Sequence, residues 1–189
     1  MKTVKIKTTA LFGLAGAALV AGCGGGGDLT FDERVARAEA FAERVFTDYP
    51  EETPEGTPLP PGTATYRGYA GVDTFIDAEE EFFIGDLEMV ADFDDPSISG
   101  EIDNIYGEFS GAAAGTIDIE SAPIDGLNQF FGNVSGSVTV DGVTYTIDGD
   151  TEGGFGGPVF EAVAGDLLGD IFDGADDVGD FGGFYVGER

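Results

Sequence analysis

Hydrophobic positions follow two different periods along this chain. Between residues 30 and 49, Val35, Ala38, Phe41, Ala42, Val45 and Phe46 recur at helical spacing and form one apolar stripe. Thr30 can cap the first turn, and Glu33 three residues later completes a capping box. Asp32 and Glu33 suit the positive end of the helix dipole. The pattern predicts an amphipathic helix over Thr30 to Tyr49, ended by Pro50, whose stripe is buried against the domain or a partner. Residues 50–62 carry five prolines among acids and threonines and read as an extended, semi-rigid linker.

From Thr63 onward the period falls to two. Leu87, Met89, Ala91 and Phe93 alternate with Glu88, Val90 and Asp92, and Val143, Tyr145 and Ile147 with Thr144, Thr146 and Asp148. Eight strands are expected, near 63–72, 82–93, 98–106, 114–121, 130–140, 143–151, 160–172 and 180–187. Asp141-Gly142 suits a two-residue hairpin. Asp73 to Glu81, including Asp77, Glu79 and Glu80, reads as an acidic loop, as does Asp173 to Asp180. Of 189 residues 32 are glycine, and Gly68, Gly71, Gly85, Gly100, Gly115, Gly136 and Gly165 fall inside strands. Glycine weakens a flat strand but permits the sharp coiling of a small barrel. Closure also removes exposed edges. The expected fold is all-β: a closed eight-stranded antiparallel up-and-down barrel over 63–189, preceded by one amphipathic helix over 31–49. Such a barrel is filled by side chains or holds one small ligand.

The N-terminus adds an address. Lys2, Lys5 and Lys7 precede an apolar run from Ala10 to Val20, too short for a membrane-spanning helix. Leu19-Val20-Ala21-Gly22-Cys23 ends in the only cysteine and is similar to a bacterial lipoprotein signal. Residues 1–22 are then a signal peptide, Cys23 carries the lipid, and 23–30 form a glycine-rich tether. Several acyl chains on Cys23 anchor stably where one anchors marginally. Gly24 after the cysteine favours the Gram-negative outer membrane. With Cys23 used as the anchor, no disulfide is expected and packing alone holds the chain together.

Charge narrows the partners. All three lysines precede Cys23, so the mature chain has five arginines against 37 acids, −32 in all. Nucleic acid and anionic headgroups are excluded as partners. Cations, cationic proteins or plain solubility in salty surroundings remain.

Several segments, in order, are similar to one family. They are Gly62 to Gly68, Ala91-Asp92-Phe93, Ser99 to Ile102, Gly132 to Val138, Gly154 to Pro158, Glu161 to Gly165 and Gly182-Gly183-Phe184. Together they resemble the C-terminal barrel of the transferrin-binding protein B family, which includes the barrels of factor H-binding protein and of hemophilin-type haem carriers. The resemblance covers about two thirds of the chain, with 155–165 its specific part. It implies an eight-stranded up-and-down barrel on a Gram-negative surface lipoprotein. This chain has a single barrel and lacks the basic residues common in that family. Transferrin and factor H are therefore not carried over as ligands.

Catalytic groups are scarce. The chain has no histidine, which removes Ser-His-Asp and Cys-His catalysis and the usual zinc and haem ligand. Gly153-Gly154-Phe155-Gly156-Gly157 lacks the Lys-Ser/Thr of a phosphate-binding loop. No enzymatic role is expected. Asp173, Asp176, Asp177 and Asp180 supply hard oxygens that suit calcium, against the plain reading of a solvated loop. Tyr66, Tyr69, Tyr106, Tyr145, Tyr185 and Met89 could line a pocket or ligate haem, against the plain reading of packing. The leading expectation is a non-enzymatic surface lipoprotein whose barrel binds an extracellular protein or a metal-carrying solute. The alternatives are a carrier of haem or another apolar molecule, and a structural envelope lipoprotein without a specific ligand.

Overall fold

A computed structural model describes residues 29–76 and 79–189. The elements are α1 (Phe31–Asp48), β1 (Thr63–Ile76), β2 (Glu79–Asp92), β3 (Ser97–Gly107), β4 (Gly111–Ala112), β5 (Ala114–Pro123), β6 (Gln129–Val140), β7 (Val143–Gly156), β8 (Ala162–Asp173) and β9 (Asp176–Glu188). The eight long strands pair antiparallel in chain order, with β3 pairing β5, and β4 is a two-residue strand on β3. The ring closes where β1 pairs with β9, from Arg67 opposite Glu188 to Ile76 opposite Gly179. The result is a closed eight-stranded up-and-down barrel behind one helix.

The strands are longer than the alternation suggested, and this corrects two expectations. Asp73 to Glu81 is not an acidic loop. Pairing runs to Ile76 opposite Glu79, while Asp77 lies outside the described residues. Likewise, 173–180 is a hairpin whose turn is Gly174-Ala175. Runs of charge look like loops in a sequence, but a strand tolerates them whenever one face meets water. The start of the seventh expected strand also moves: Phe160 lies in a turn at φ +64°, and β8 begins at Ala162. Asp141 and Gly142, at φ +51° and +83°, make the expected tight hairpin.

Alternation sends one set of side chains inside. Leu87, Met89 and Ala91 are buried, whereas Val90 is exposed. The interior is packed rather than hollow. Tyr66, Tyr185, Phe130, Phe160 and Met89 are among its largest fully buried side chains. Tyr185 lies across two glycines. A Cβ on Gly153 would come 2.6 Å from its hydroxyl, and one on Gly165 would meet the phenol itself. These glycines are cut-outs that let a large side chain cross the barrel. Its hydroxyl bonds to Thr151 Oγ1 at 3.0 Å, which in turn donates to the Asp166 carbonyl.

One end of the barrel is sealed. Phe155 and Phe160 stack edge to face at 5.2 Å between ring centroids, with Phe93, Phe130 and Tyr66 around them. Residues 50–62 lie across this end instead of standing away from it. Thr53 is buried, its N–H donates to the Phe155 carbonyl at 2.8 Å, and its hydroxyl donates to the Gly157 carbonyl at 2.7 Å. Asn128 donates to the Pro54 carbonyl at 2.9 Å.

Helix α1 carries the expected capping box at Thr30 and Glu33. Its stripe lies on the outer face of the barrel. Val45 is buried against Ala162 and Val186, and Phe41 meets Tyr69 edge to face at 5.5 Å. Phe46, at the margin of the stripe, is exposed. Arg44 pairs with Glu188 at 2.7 Å, and Tyr49 donates to the same carboxylate at 3.3 Å. Both contacts hold the carboxyl of Glu188 below its ordinary range, Arg44 the more strongly.

The Tyr66 hydroxyl donates to the Phe160 carbonyl at 2.9 Å inside the sealed end. Replacing Tyr66 by Phe leaves that buried acceptor unmade. The expected loss is about 1–3 kcal/mol of unfolding free energy, read by urea denaturation.

Candidate functional site

The interior has little room for a ligand. At the end opposite the aromatic seal, Ile76, Phe83, Val140, Tyr145, Ile171 and Phe181 line an apolar throat of about 40 Å³. One water requires roughly 10–15 Å³, so this space suits a few waters or a side chain and not a haem. The six tyrosine and methionine candidates do not converge. Tyr66, Tyr185 and Met89 are core residues, and Tyr145 borders the throat. Tyr69 packs under α1, and Tyr106 lies beneath the Arg34 guanidinium. Burial pushes the phenols of Tyr66 and Tyr185 well above their ordinary values. Both hydroxyls are engaged inside the barrel, so neither is presented as an anionic iron ligand.

The four aspartates proposed for calcium sit on the two arms of the β8–β9 hairpin. Asp173 opposes Asp176, Asp177 opposes Phe172, and Asp180 opposes Asp170 one bulge further down. Among the described residues no group of three or more acidic, histidine or cysteine side chains is arranged to hold a metal ion. Cys23 lies outside the described residues.

The outer wall carries the most unusual chemistry. Register places carboxylates directly opposite one another on neighbouring strands. Glu88 faces Glu101, Glu101 faces Asp118, Asp148 faces Asp170, and Asp170 faces Asp180. A second row brings Glu152 beside Asp166, and Asp150 lies opposite Leu168. Neighbouring strands lie about 4.8 Å apart, and like charges in direct opposition destabilise a sheet. The face of β7–β9 is therefore a grid of six carboxylates, Asp148, Asp150, Glu152, Asp166, Asp170 and Asp180. Leu168 stands in it 60% exposed, and Phe131, opposite Glu152, is 53% exposed. Helix α1 packs on Ala162, Ala164 and Val186, at the other end of β8 and β9, and on β1 and β2.

Of these six only Asp180 was singled out from the sequence. The signal was present as period two: Asp148-Gly149-Asp150-Thr151-Glu152 puts three acids on one side of one strand. Asp166, Leu168 and Asp170 share the outer side of the next, with Leu167 and Ile171 turned inward. What the sequence could not supply was the register that sets one row against the other.

The fold and this wall define a packed meander barrel that meets its surroundings with its outer surface. Solved structures share the architecture. The chain is similar to transferrin-binding protein B from Haemophilus parasuis Hp5, with a TM-score of 0.50 and 20% identity over 73% of this chain and 28% of that one. It is also similar to isotype 1 transferrin-binding protein B from serogroup B Neisseria meningitidis, with a TM-score of 0.49 and 19% identity over 73% and 27%. The chain thus spans little more than a quarter of the length of those proteins. At this identity the likeness is one of fold: the barrel is of the transferrin-binding protein B type. No family model matches the chain, and no curated protein does.

Asp73, across Gly182 from the grid, reports the local electrostatics. Burial first, then Glu80, raises its carboxyl above the ordinary value of 3.8. A carboxyl raised on folding stabilises the protein below its unfolded value and loses that contribution as pH rises through the folded one. Asp73→Asn is expected to melt higher than wild type at pH 7. The difference should close at pH 3, as read by thermal denaturation.

Proposed function

We propose that this chain is a non-enzymatic, lipid-anchored surface protein of the Gram-negative outer membrane. Its barrel binds a cationic extracellular protein, or a metal-carrying one with a basic surface. The observation that carries this reading is the β7–β9 face. Six carboxylates in opposing rows repel one another across about 4.8 Å, a cost that a basic partner relieves. An exposed leucine and phenylalanine within the grid supply apolar contact. Bulk solubility needs negative charge but not its concentration around apolar side chains on one wall. The anchor at Cys23 would leave the barrel facing outward on its tether. The packed interior weighs against the haem or apolar-molecule carrier.

Immobilised protein is to be probed with a panel of basic proteins at rising ionic strength. Binding that depends on the face falls with salt. The variant with Asp150, Asp166 and Asp170 changed to Asn is expected to lose it, and Leu168→Ser to weaken it. A variant with Glu55, Asp94 and Asp95 neutralised removes the same charge elsewhere and should still bind. If both triple variants lose binding equally, net charge alone is responsible and the face is not the site.

The anchor is tested separately. Cys23→Ser is expected to abolish incorporation of labelled palmitate and to leave the signal segment uncleaved, read by mass spectrometry of the membrane fraction. An acylated serine variant, or a wild-type chain cleaved without lipid, would contradict it.

A further inference from the structure

A second recess lies between α1 and the barrel, on the wall away from the acidic grid. Arg34, Arg37, Tyr69, Asp86 and Asn104 line it, with Leu29 at its edge, and its volume is about 160 Å³. That is many times the roughly 10–15 Å³ that one water needs. Its chemistry runs against the rest of the molecule. Two of the five arginines outside the signal segment meet here.

Among the described residues neither arginine has a carboxylate in an ion pair. The ion pairs of the described residues join Arg44 to Asp48 and Glu188, and Arg67 to Glu88. Among 37 acids, two adjacent arginines without such a partner need an explanation. Arg34 is held in place rather than waving in solvent. Its terminal nitrogens donate to the carbonyl and to Oδ1 of Asn104, both at 3.3 Å, and its guanidinium lies 5.2 Å from the ring centre of Tyr106. Asn104 is itself set at φ +48°, and its amide donates to Asp86 at 2.7 Å. That bond turns the one acidic wall of the recess toward Asn104. The Nε of Arg34 is buried and has no hydrogen-bond partner among the described residues. A buried donor on a charged group is costly to leave unmade.

We propose that this recess binds a small organic carboxylate, held by the guanidinium groups of Arg34 and Arg37. A guanidinium recognises a carboxylate through paired N–H donors, and a pre-positioned fork loses little freedom on binding. A single negative charge also suits the site better than a phosphate dianion, because Asp86 forms part of the wall. The ligand would bridge the first turns of α1 to the barrel and tighten the helix on its seat. This inference stands independently of the acidic face.

The test is calorimetric titration of the full chain in detergent with sodium propionate, a monoanion, at ionic strength fixed with sodium chloride. Inorganic phosphate is run as the second arm. Saturable binding of propionate is expected. Arg34→Lys keeps the charge but loses Nε, and should weaken it by about tenfold. Arg37→Gln, on the exposed flank of the helix, should weaken it as well and cannot disturb the core. Arg67→Gln, on the outer wall of β1, should leave it unchanged. Absence of propionate binding, equal affinity in Arg34→Lys, equal loss in Arg67→Gln, or tighter binding of phosphate would each overturn the assignment.

Discussion

The pairing of β1 with β9 is the constraint from which the other features follow. It joins the first barrel strand to the last across more than a hundred residues of chain, so its entropic cost is met only when every intervening hairpin has formed. Once made, it leaves no long sheet edge unpaired and divides space into a dry inside and a wet outside. A chain with so many acids and so few cations needs that division to be sharp. Period-two alternation on eight strands puts the apolar half into one core and leaves every carboxylate of the described residues a route to water.

Closure also dictates what the inside can be. With aromatic rings and the 50–62 segment stacked at one end, side chains fill the barrel at the density expected of eight strands. Gly153 and Gly165 are part of that packing, since a side chain at either position would occupy the space of Tyr185. A packed core offers recognition chemistry only at its outer wall. There the ring geometry brings acids of β7, β8 and β9 into opposition on one side, and receives α1 with its arginines on another. The two surfaces differ in chemistry because the helix brings three of the five arginines, Arg34, Arg37 and Arg44, to one of them.

Some boundaries were misjudged for a physical reason. Charge runs at 73–81 and 173–180 look like loops because propensity favours loops for Asp, Glu and Gly. Yet strand pairing supplies the backbone hydrogen bonds, and an exposed face accepts the charge. The prolines of 50–62 read as an extended, semi-rigid linker. Their backbone carbonyls and the Thr53 side chain nevertheless find partners at the sealed end, which only the assembled barrel presents.

Local pattern was enough for the helix and its capping box, the Asp141-Gly142 hairpin, the number of long strands and the direction in which each side chain points. These depend on neighbours within a few residues. Register, closure and juxtaposition were decided by the tertiary structure. Nothing local sets Asp148 against Asp170 and Asp170 against Asp180, or brings Arg34 to Asn104 seventy residues away. Such contacts depend on how strands slide and how the ring shuts, and those are properties of the whole chain at once.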